Sequence, residues 1–353
     1  MNDEIELKFI ANRDIWKPLV DLMRQWTIIE RDSVPLLSVY FDTPDWQLLS
    51  WDMGLRLRSE RGQQWQTLKT PGQTLGGVHQ RPEFNHPFQG ELPQLALFTG
   101  VPWPEPAKLV SMQHQLREVF RTDFVRLRMV VEVDRLGVVE VAADRGHVSL
   151  GGNVSLGEQW EVINEIELEL LDGSPKAMFV LAKQVAQLAG VQLACINKAQ
   201  RGYHLALHKP FTAKSLPGFE LTKPDAAAIR RYLEQLLNHA LYHLQLSQPE
   251  ITANDKPQAL LLAINSFSLL LDSCEVLAKH AGWFKGKASG LEGWQNSIDK
   301  LRQLDAEAVF EQRELCQLSL EICRPLYLQK GEEPAAVTDS SELIAQLSAV
   351  RAS

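Results

Sequence analysis

The opening stretch Glu4-Ile5-Glu6-Leu7-Lys8-Phe9 alternates charged and apolar residues one by one. In an extended strand successive side chains point to opposite faces, so Glu4, Glu6 and Lys8 share one face and Ile5, Leu7 and Phe9 the other. Glu165-Ile166-Glu167-Leu168-Glu169-Leu170 writes the pattern again. Arg56 and Arg58 alternate with Leu55 and Leu57, and Arg126 and Arg128 with Val125, Leu127 and Met129. Lys69 shares a face with Thr67 and Trp65, Glu140 with Asp144, and Arg81 with Glu83, where Pro82 marks an edge or entry strand.

One charged strand face is ordinary for an antiparallel sheet with one side in water. Here most strands of one half of the chain do the same, and they draw on arginine and glutamate instead of Thr, Ser, Lys and Gln. That combination predicts a closed barrel with a polar interior and helices over its exterior. Strands are expected at 3–10, 36–42, 54–60, 65–70, 80–85, 124–134, 137–144 and 161–171. Helices are expected after Asn12 as N-cap, at 106–119, after Ser174 and Pro175 with Gly190 past the end, and at 196–207. Prolines at 210, 217 and 224 mark a linker. Beyond it the pattern turns helical, at 225–247 with Asp225 as cap, 256–281, 291–303, 305–328 and 340–350.

A net charge of −8 argues against broad nucleic-acid or anionic-membrane binding, so an anion site must be a local concentration of base. The charged start is unlike a secretory signal, and no apolar run is read as long enough to span a bilayer. The four cysteines, without CxxC spacing, read as reduced core thiols, and a cytoplasmic location is expected.

Arginine and lysine inside a barrel suggest a polyanion, because guanidinium forks match phosphate oxygens. Carboxylates in the same cavity would repel that anion unless hard cations lie between them, and Mg²⁺ favours a few carboxylates plus phosphate oxygens. The implied chemistry is metal-assisted phosphoryl transfer on a chain of phosphates. There is no GxxxxGK[ST] loop and no helix-borne HExxH. His79, His86, His114 and His147 do not cluster at ligand spacing, although His79 lies close to Arg81 and Glu83.

The ExExK start, Tyr40-Phe41-Asp42-Thr43-Pro44, Gly54-Leu55-Arg56-Leu57-Arg58, Leu68-Lys69, His79-Gln80-Arg81-Pro82-Glu83, the Glu165–Glu169 run and Asn197-Lys198-Ala199-Gln200-Arg201-Gly202-Tyr203 resemble the CYTH family, or triphosphate tunnel metalloenzymes. The likeness covers about residues 1–207 and is greatest to bacterial two-domain CYTH–CHAD inorganic triphosphatases. It implies an α+β fold: an eight-stranded antiparallel β tunnel barrel with flanking helices, followed by a short all-α CHAD-like bundle. The domains implied are 1–207, a linker at 208–224, and a helical region at 225–353.

Carried over by position, Glu4, Glu6, Asp144, Glu165, Glu167 and Glu169 would hold Mg²⁺ or Mn²⁺. Lys8, Arg56, Arg58, Lys69, Arg81, Arg126, Lys198 and Arg201 would grip phosphates, with Lys8, Arg58 and Lys69 closest to the chemistry. Lys8 is read as a phosphate ligand, with a desolvated base as the alternative. Arg128 fits the strand phase but no family position. The implied reaction is hydrolysis of inorganic triphosphate to pyrophosphate and phosphate. A non-hydrolytic polyphosphate or nucleotide sensor, or a triphosphatase or cyclase acting on thiamine triphosphate or ATP, is the alternative. Trp51 and Trp65 could stack on an organic moiety but read more readily as packing.

The helical region departs from a full CHAD domain. It is short and poor in histidine, and acidic residues outnumber basic ones from 220 onward, which would resist polyphosphate. His239 and His243 sit four apart on one helix face without an evident third ligand. The region reads as a module for packing, homodimerisation or contact with a protein partner.

Overall fold

The alternation seen in the sequence becomes an inverted barrel, charged within and apolar without. The computed structural model describes residues 2–151, 160–217, 226–280, 288–328 and 345. Its strands are β1 (Asn2–Ala11), β2 (Thr27–Asp42), β3 (Gly54–Glu60), β4 (Gln63–Lys69), β5 (Gln73–Leu75), β6 (Val78–Pro87), β7 (Arg117–Val133), β8 (Gly137–Leu150), β9 (Trp160–Gly173) and β10 (Val191–Leu193). Eight of them close antiparallel in the neighbour order β1-β9-β8-β7-β2-β3-β4-β6, and β6 returns to pair with β1.

The register stacks the charged positions. Lys8 lies opposite Glu167 and Glu6 opposite Glu169 across β1 and β9. Asp144 lies opposite Glu165 on β9 and opposite Arg126 on β7. The other strand phase is apolar: Phe41, Leu55, Leu57, Leu68 and Phe84 join Phe98, Met112 and Leu116 in one buried cluster. The segment after β6, which includes α3 (Leu109–Gln115), therefore covers the outside of β2, β3, β4 and β6.

Of the other helices of this half, α1 (Trp16–Met23) buries Leu19, Val20 and Met23, and α2 (Gln47–Ser50) buries Leu48. Then come α4 (Lys176–Val185) and α5 (Lys198–Ala206). Asn197 caps α5 in a reciprocal box with Gln200. From α5, Tyr203 and Leu205 pack with the inward apolar residues Leu36, Tyr40, Phe120, Phe124, Val148 and Ile163, so this helix fills one end of the barrel. Gly202 permits that approach, since a Cβ there would stand 2.1 Å from a ring carbon of Phe120.

Several local expectations need correction. β2 starts at Thr27 instead of 36, because the polar stretch with Pro35 pairs rung by rung with β7; cross-strand pairing overrides a poor local propensity. β7 starts at Arg117, so the helix expected through 119 ends at Gln115. Asn12 is not the first N-cap: Ile15 holds that position, and Asp14 Oδ1 accepts from the Trp16 N–H at 3.1 Å. Ser174 Oγ does accept from the Lys176 N–H, at 3.3 Å, ahead of α4.

The contacts group the chain into two units. The first holds residues 1–74, 78–182 and 196–211, and the second holds 75–77, 183–195 and 212–353. In the second, α6 (Ala226–Leu246) packs on α7 (Lys256–His280), α7 on α8 (Ala288–Leu301), and α10 (Arg313–Leu328) on α6. Leu233, Leu236, Leu237, Leu241 and Leu244 form the buried stripe of α6. The helix expected over 305–328 is broken into α9 (Ala306–Phe310) and α10. The Asp225 cap and nearly all of the helix expected at 340–350 lie outside the described residues.

Contrary to the sequence reading, α7 is long and apolar enough over Lys256–Leu277 to cross a bilayer by length and composition. Of that window, 56% is buried, a signature shared by a bundle's core helix. His239 and His243 are engaged internally. His239 meets Ser266 Oγ at 2.7 Å and the Lys214 carbonyl at 3.0 Å, and His243 Nε2 accepts from the Lys214 N–H at 3.0 Å.

Candidate functional site: a charged tunnel

The inward strand faces enclose a cavity of about 870 Å³. It is lined by Glu4, Glu6 and Lys8 of β1, Tyr40 of β2, Arg56 and Arg58 of β3, Lys69 of β4, and His79, Arg81, Glu83 and Asn85 of β6. Arg126 of β7, Glu167 and Glu169 of β9, and Asn197 and Lys198 at the start of α5 complete its charged and polar wall. A strand period of two puts all the strand residues of this set inward at once.

One side of the wall is internally neutralised. Arg126 donates Nε and Nη2 to the two Asp144 oxygens at 2.7 and 2.8 Å, and Nη2 also reaches Glu167 at 2.5 Å. Lys198 Nζ contacts Asp144 at 2.8 Å, Glu167 at 3.0 Å and Glu165. Lys8 Nζ pairs with Glu167 and, at 3.0 Å, with Glu6. Burial alone would raise Asp144, but Arg126 and Lys198 hold it below the usual carboxylate range. Burial likewise opposes the charge on Lys8, yet Glu167 and Glu6 hold its ammonium well above the ordinary lysine value. Burial first, then the neighbouring charges of Lys8 and Arg126, push Lys198 well below the ordinary lysine value against the pull of Asp144. We nonetheless take the ammonium as the resident form, because three carboxylates stand within ion-pair distance of Nζ.

The other side is unbalanced. Lys69 pairs with Glu4 and, at 3.1 Å, with Glu83, which Arg56 approaches at 3.7 Å. Burial pushes Glu4 up to about 8, with the like charges of Glu6, Glu83 and Glu169 adding to it against Lys69. Burial and the charges of Glu140 and Glu6 push Glu169 up to about 7. Burial and like charge thus favour protons on both carboxylates near neutrality, on Glu4 in spite of the Lys69 beside it.

At Arg58 of β3, in the same cavity, the deficit is reversed. Burial and the guanidiniums of Arg56 and Arg126 push Arg58 down to about 10, and since arginine keeps its proton this marks a cation short of anions. Arg58 donates to Ser38 Oγ at 3.1 Å, and the buried Arg56 Nε has no hydrogen-bond partner among the described residues. The donor set fits the implied group: hard oxygen ligands short of cations face unsatisfied guanidinium donors.

The structure does not bring every expected residue to the cavity. Arg201 is buried at 1% exposure and donates to Glu161 at 2.8 Å and to the Val162 carbonyl at 2.6 Å, away from the lining. Asp144 and Glu165 also fall outside the lining, although with Glu167 they form a cluster whose ligand atoms lie within 4.8 Å of one another. Arg81 lines the cavity and pairs with the exposed Asp52 at 3.2 Å. Arg128 is bound to Glu140 at 2.5 Å and Glu30 at 2.7 Å, outside the lining. Neither Trp51 nor Trp65 lines the cavity, and Trp51 packs in the outer apolar cluster.

Sequence reasoning passed over Tyr40, whose hydroxyl lies 3.5 Å from Arg56 Nη1, and Asn85, which accepts from Thr67 Oγ at 2.6 Å. Asn85 shares strand phase with Arg81 and Glu83, the signal that could have revealed it.

Fold and site together define a closed antiparallel tunnel whose lining interleaves carboxylates with guanidinium and ammonium groups. The chain belongs to the CYTH domain family, whose model matches residues 2–203. It is 34% identical over 206 residues to an inorganic triphosphatase of Haemophilus influenzae, covering 58% of this chain and 55% of that protein. The chain thus spans about half the length of that curated relative. Among solved structures, a Hippeastrum protein described as an adenylyl cyclase with a dominant triphosphatase activity aligns with a TM-score of 0.40 at 15% identity, over 59% of this chain and 97% of its own. The PH1819 protein of Pyrococcus horikoshii aligns at 0.34 and 20%, over 58% and 98%.

Proposed function

We propose that the tunnel hydrolyses inorganic triphosphate to pyrophosphate and phosphate with Mg²⁺ or Mn²⁺. The observation that carries this reading is an opposed imbalance within one cavity. Arg58 is crowded by Arg56 and Arg126 with no carboxylate partner among the described residues and Arg56 Nε is unbonded, while burial and like charge favour the protonated forms of Glu4 and Glu169 near neutrality. A chain of phosphates with a divalent ion satisfies both, whereas a bare anion satisfies only the first. The activity of the Haemophilus influenzae relative supports inorganic triphosphate as the substrate.

Glu4, Glu6, Glu167 and Glu169 would hold the ion from the cavity wall, with Asp144 and Glu165 behind. When bound, it supplies Lewis acidity and charge neutralisation at the phosphate oxygens. Arg56, Arg58, Lys69 and Arg126 would receive the phosphate oxygens and stabilise charge on the pyrophosphate leaving group as water takes the terminal phosphoryl group. Lys8, held as an ammonium, serves as a ligand and not as a base. The helical region is read as a reduced CHAD-like module for packing or partner contact.

Phosphate release from inorganic triphosphate, ATP and thiamine triphosphate, with Mg²⁺, Mn²⁺ or EDTA, tests the reading. Metal-dependent release from inorganic triphosphate alone supports it. Tight triphosphate binding without turnover on any of the three would replace it with a sensor.

A further inference from the structure

Asp144, Glu165 and Glu167 look like a metal triad by proximity, yet the point where they converge is filled. Lys198 Nζ contacts all three, and Arg126 and Lys8 supply two further cations to Asp144 and Glu167. Three carboxylates therefore face three cations. Asp144 has no exposed surface, and neither it nor Glu165 lines the cavity, whereas Lys198 does. The ammonium stands between those two carboxylates and anything entering the tunnel. By contrast, Glu4, Glu6, Glu83 and Glu169 share Lys69, Arg56 and part of Lys8, and Glu169 makes no ion pair among the described residues. Surplus negative charge, and with it the demand for a divalent ion, lies there.

We propose that Asp144 and Glu165 are positioning residues for Lys198 and not ligands of the divalent ion. They fix the Nζ of a long, otherwise flexible side chain at the cavity wall, where it meets a phosphate oxygen. Ordering that side chain before the anion arrives removes an entropic cost from binding. The inference rests on the triphosphate reading for its ligand but divides the acidic residues in a way that reading does not require.

Glu165→Gln is the cleaner probe, because Glu165 has Lys198 as its ion-pair partner whereas Asp144 also anchors Arg126. Mn²⁺ is titrated calorimetrically into the substrate-free protein, and inorganic triphosphate is titrated separately in EDTA, for the unmodified chain, Glu165→Gln, Asp144→Asn and Glu6→Gln. Circular dichroism checks folding. The expected result is Mn²⁺ affinity within about twofold of the unmodified chain for Glu165→Gln, against a loss of about tenfold or more for Glu6→Gln. Metal-free triphosphate affinity should fall about tenfold in Glu165→Gln, as in Lys198→Met, with little further loss in the double variant. KM should rise more than kcat falls. A Mn²⁺ loss in Glu165→Gln matching that of Glu6→Gln, or unchanged triphosphate affinity, overturns the proposal. If the unmodified chain binds no Mn²⁺, metal-dependent hydrolysis fails while the EDTA titration still decides the role of Glu165.

Discussion

Arg126 grips both oxygens of Asp144 in a parallel fork, at 2.7 and 2.8 Å, and the same guanidinium reaches Glu167 at 2.5 Å. A lysine carries the charge as a point and cannot reproduce that fork. Arg126→Ala takes one cation from each of two buried carboxylates, leaving Asp144 with Lys198 and Glu167 with Lys198 and Lys8, and should cost about 3 kcal/mol of stability. Arg126→Lys should cost less but still lower the urea midpoint. A midpoint unchanged in the alanine variant would mean the buried cluster is not held by this arginine.

How much of this was legible follows from which physics is local. Strand alternation is local, so the inward placement of Glu4, Glu6, Lys8, Arg56, Arg58 and Lys69 could be read from the period of two. Partnership is not: Lys198 meets Asp144 across 54 residues, and nothing in either segment announces it. Arg201 shows the limit of spacing arguments, since three residues from Lys198 on a helix makes the two neighbours but does not fix their targets. Lys198 turns to the cavity and Arg201 to Glu161. The polar half of β2 was missed because β7, and not its own sequence, makes it a strand. Tyr40 was passed over because a tyrosine reads as packing until its register opposite Arg56 is known.

Stability in the absence of divalent ions should depend on pH in two windows. Glu4 and Glu169 rise from the ordinary 4.5 to about 8 and about 7, so between those values the folded chain keeps protons that the unfolded chain has lost. Stability therefore falls as pH climbs through that window. Asp144, Glu6, Glu83 and Glu167 are held low, so their contribution is lost in the opposite direction, as pH falls below the ordinary carboxylate range. Thermal melts in EDTA from about pH 5 to about pH 9 should show the alkaline decline, and Mg²⁺ should reverse it at the upper end. A flat profile above pH 5 would mean Glu4 and Glu169 ionise normally.

Arg58→Ala removes a cation that has no carboxylate partner among the described residues and is crowded by Arg56 and Arg126. Its stability should stay within about 1 kcal/mol of the unmodified chain. Triphosphate binding should weaken by about tenfold or more, because a charge-assisted phosphate contact is lost. Denaturation and isothermal titration separate the two effects. Loss of stability without loss of affinity would mean Arg58 serves the barrel and not the anion.

Glu4→Gln places a neutral group where burial and its acidic neighbours already favour a neutral one near pH 7. The barrel should fold with an unchanged circular dichroism spectrum, while metal-dependent phosphate release falls at least about a hundredfold. An unchanged rate would remove Glu4 from the site.

Arg201 makes the converse case. It is held in a dry pair with Glu161 and donates to the Val162 carbonyl, away from the tunnel lining. Its removal takes a buried guanidinium partner from Glu161, itself 3% exposed, where α5 meets β9. Arg201→Ala should therefore cost about 3–5 kcal/mol of stability. Replacing both partners, as in Arg201→Leu with Glu161→Leu, should recover much of that loss. Measured well below the melting temperature, the folded fraction should bind triphosphate with an affinity within about threefold of the unmodified chain, since no phosphate contact is removed. A large drop in affinity at unchanged stability would bring Arg201 back among the phosphate ligands and require α5 to turn its first two turns, and not only Lys198, toward the cavity.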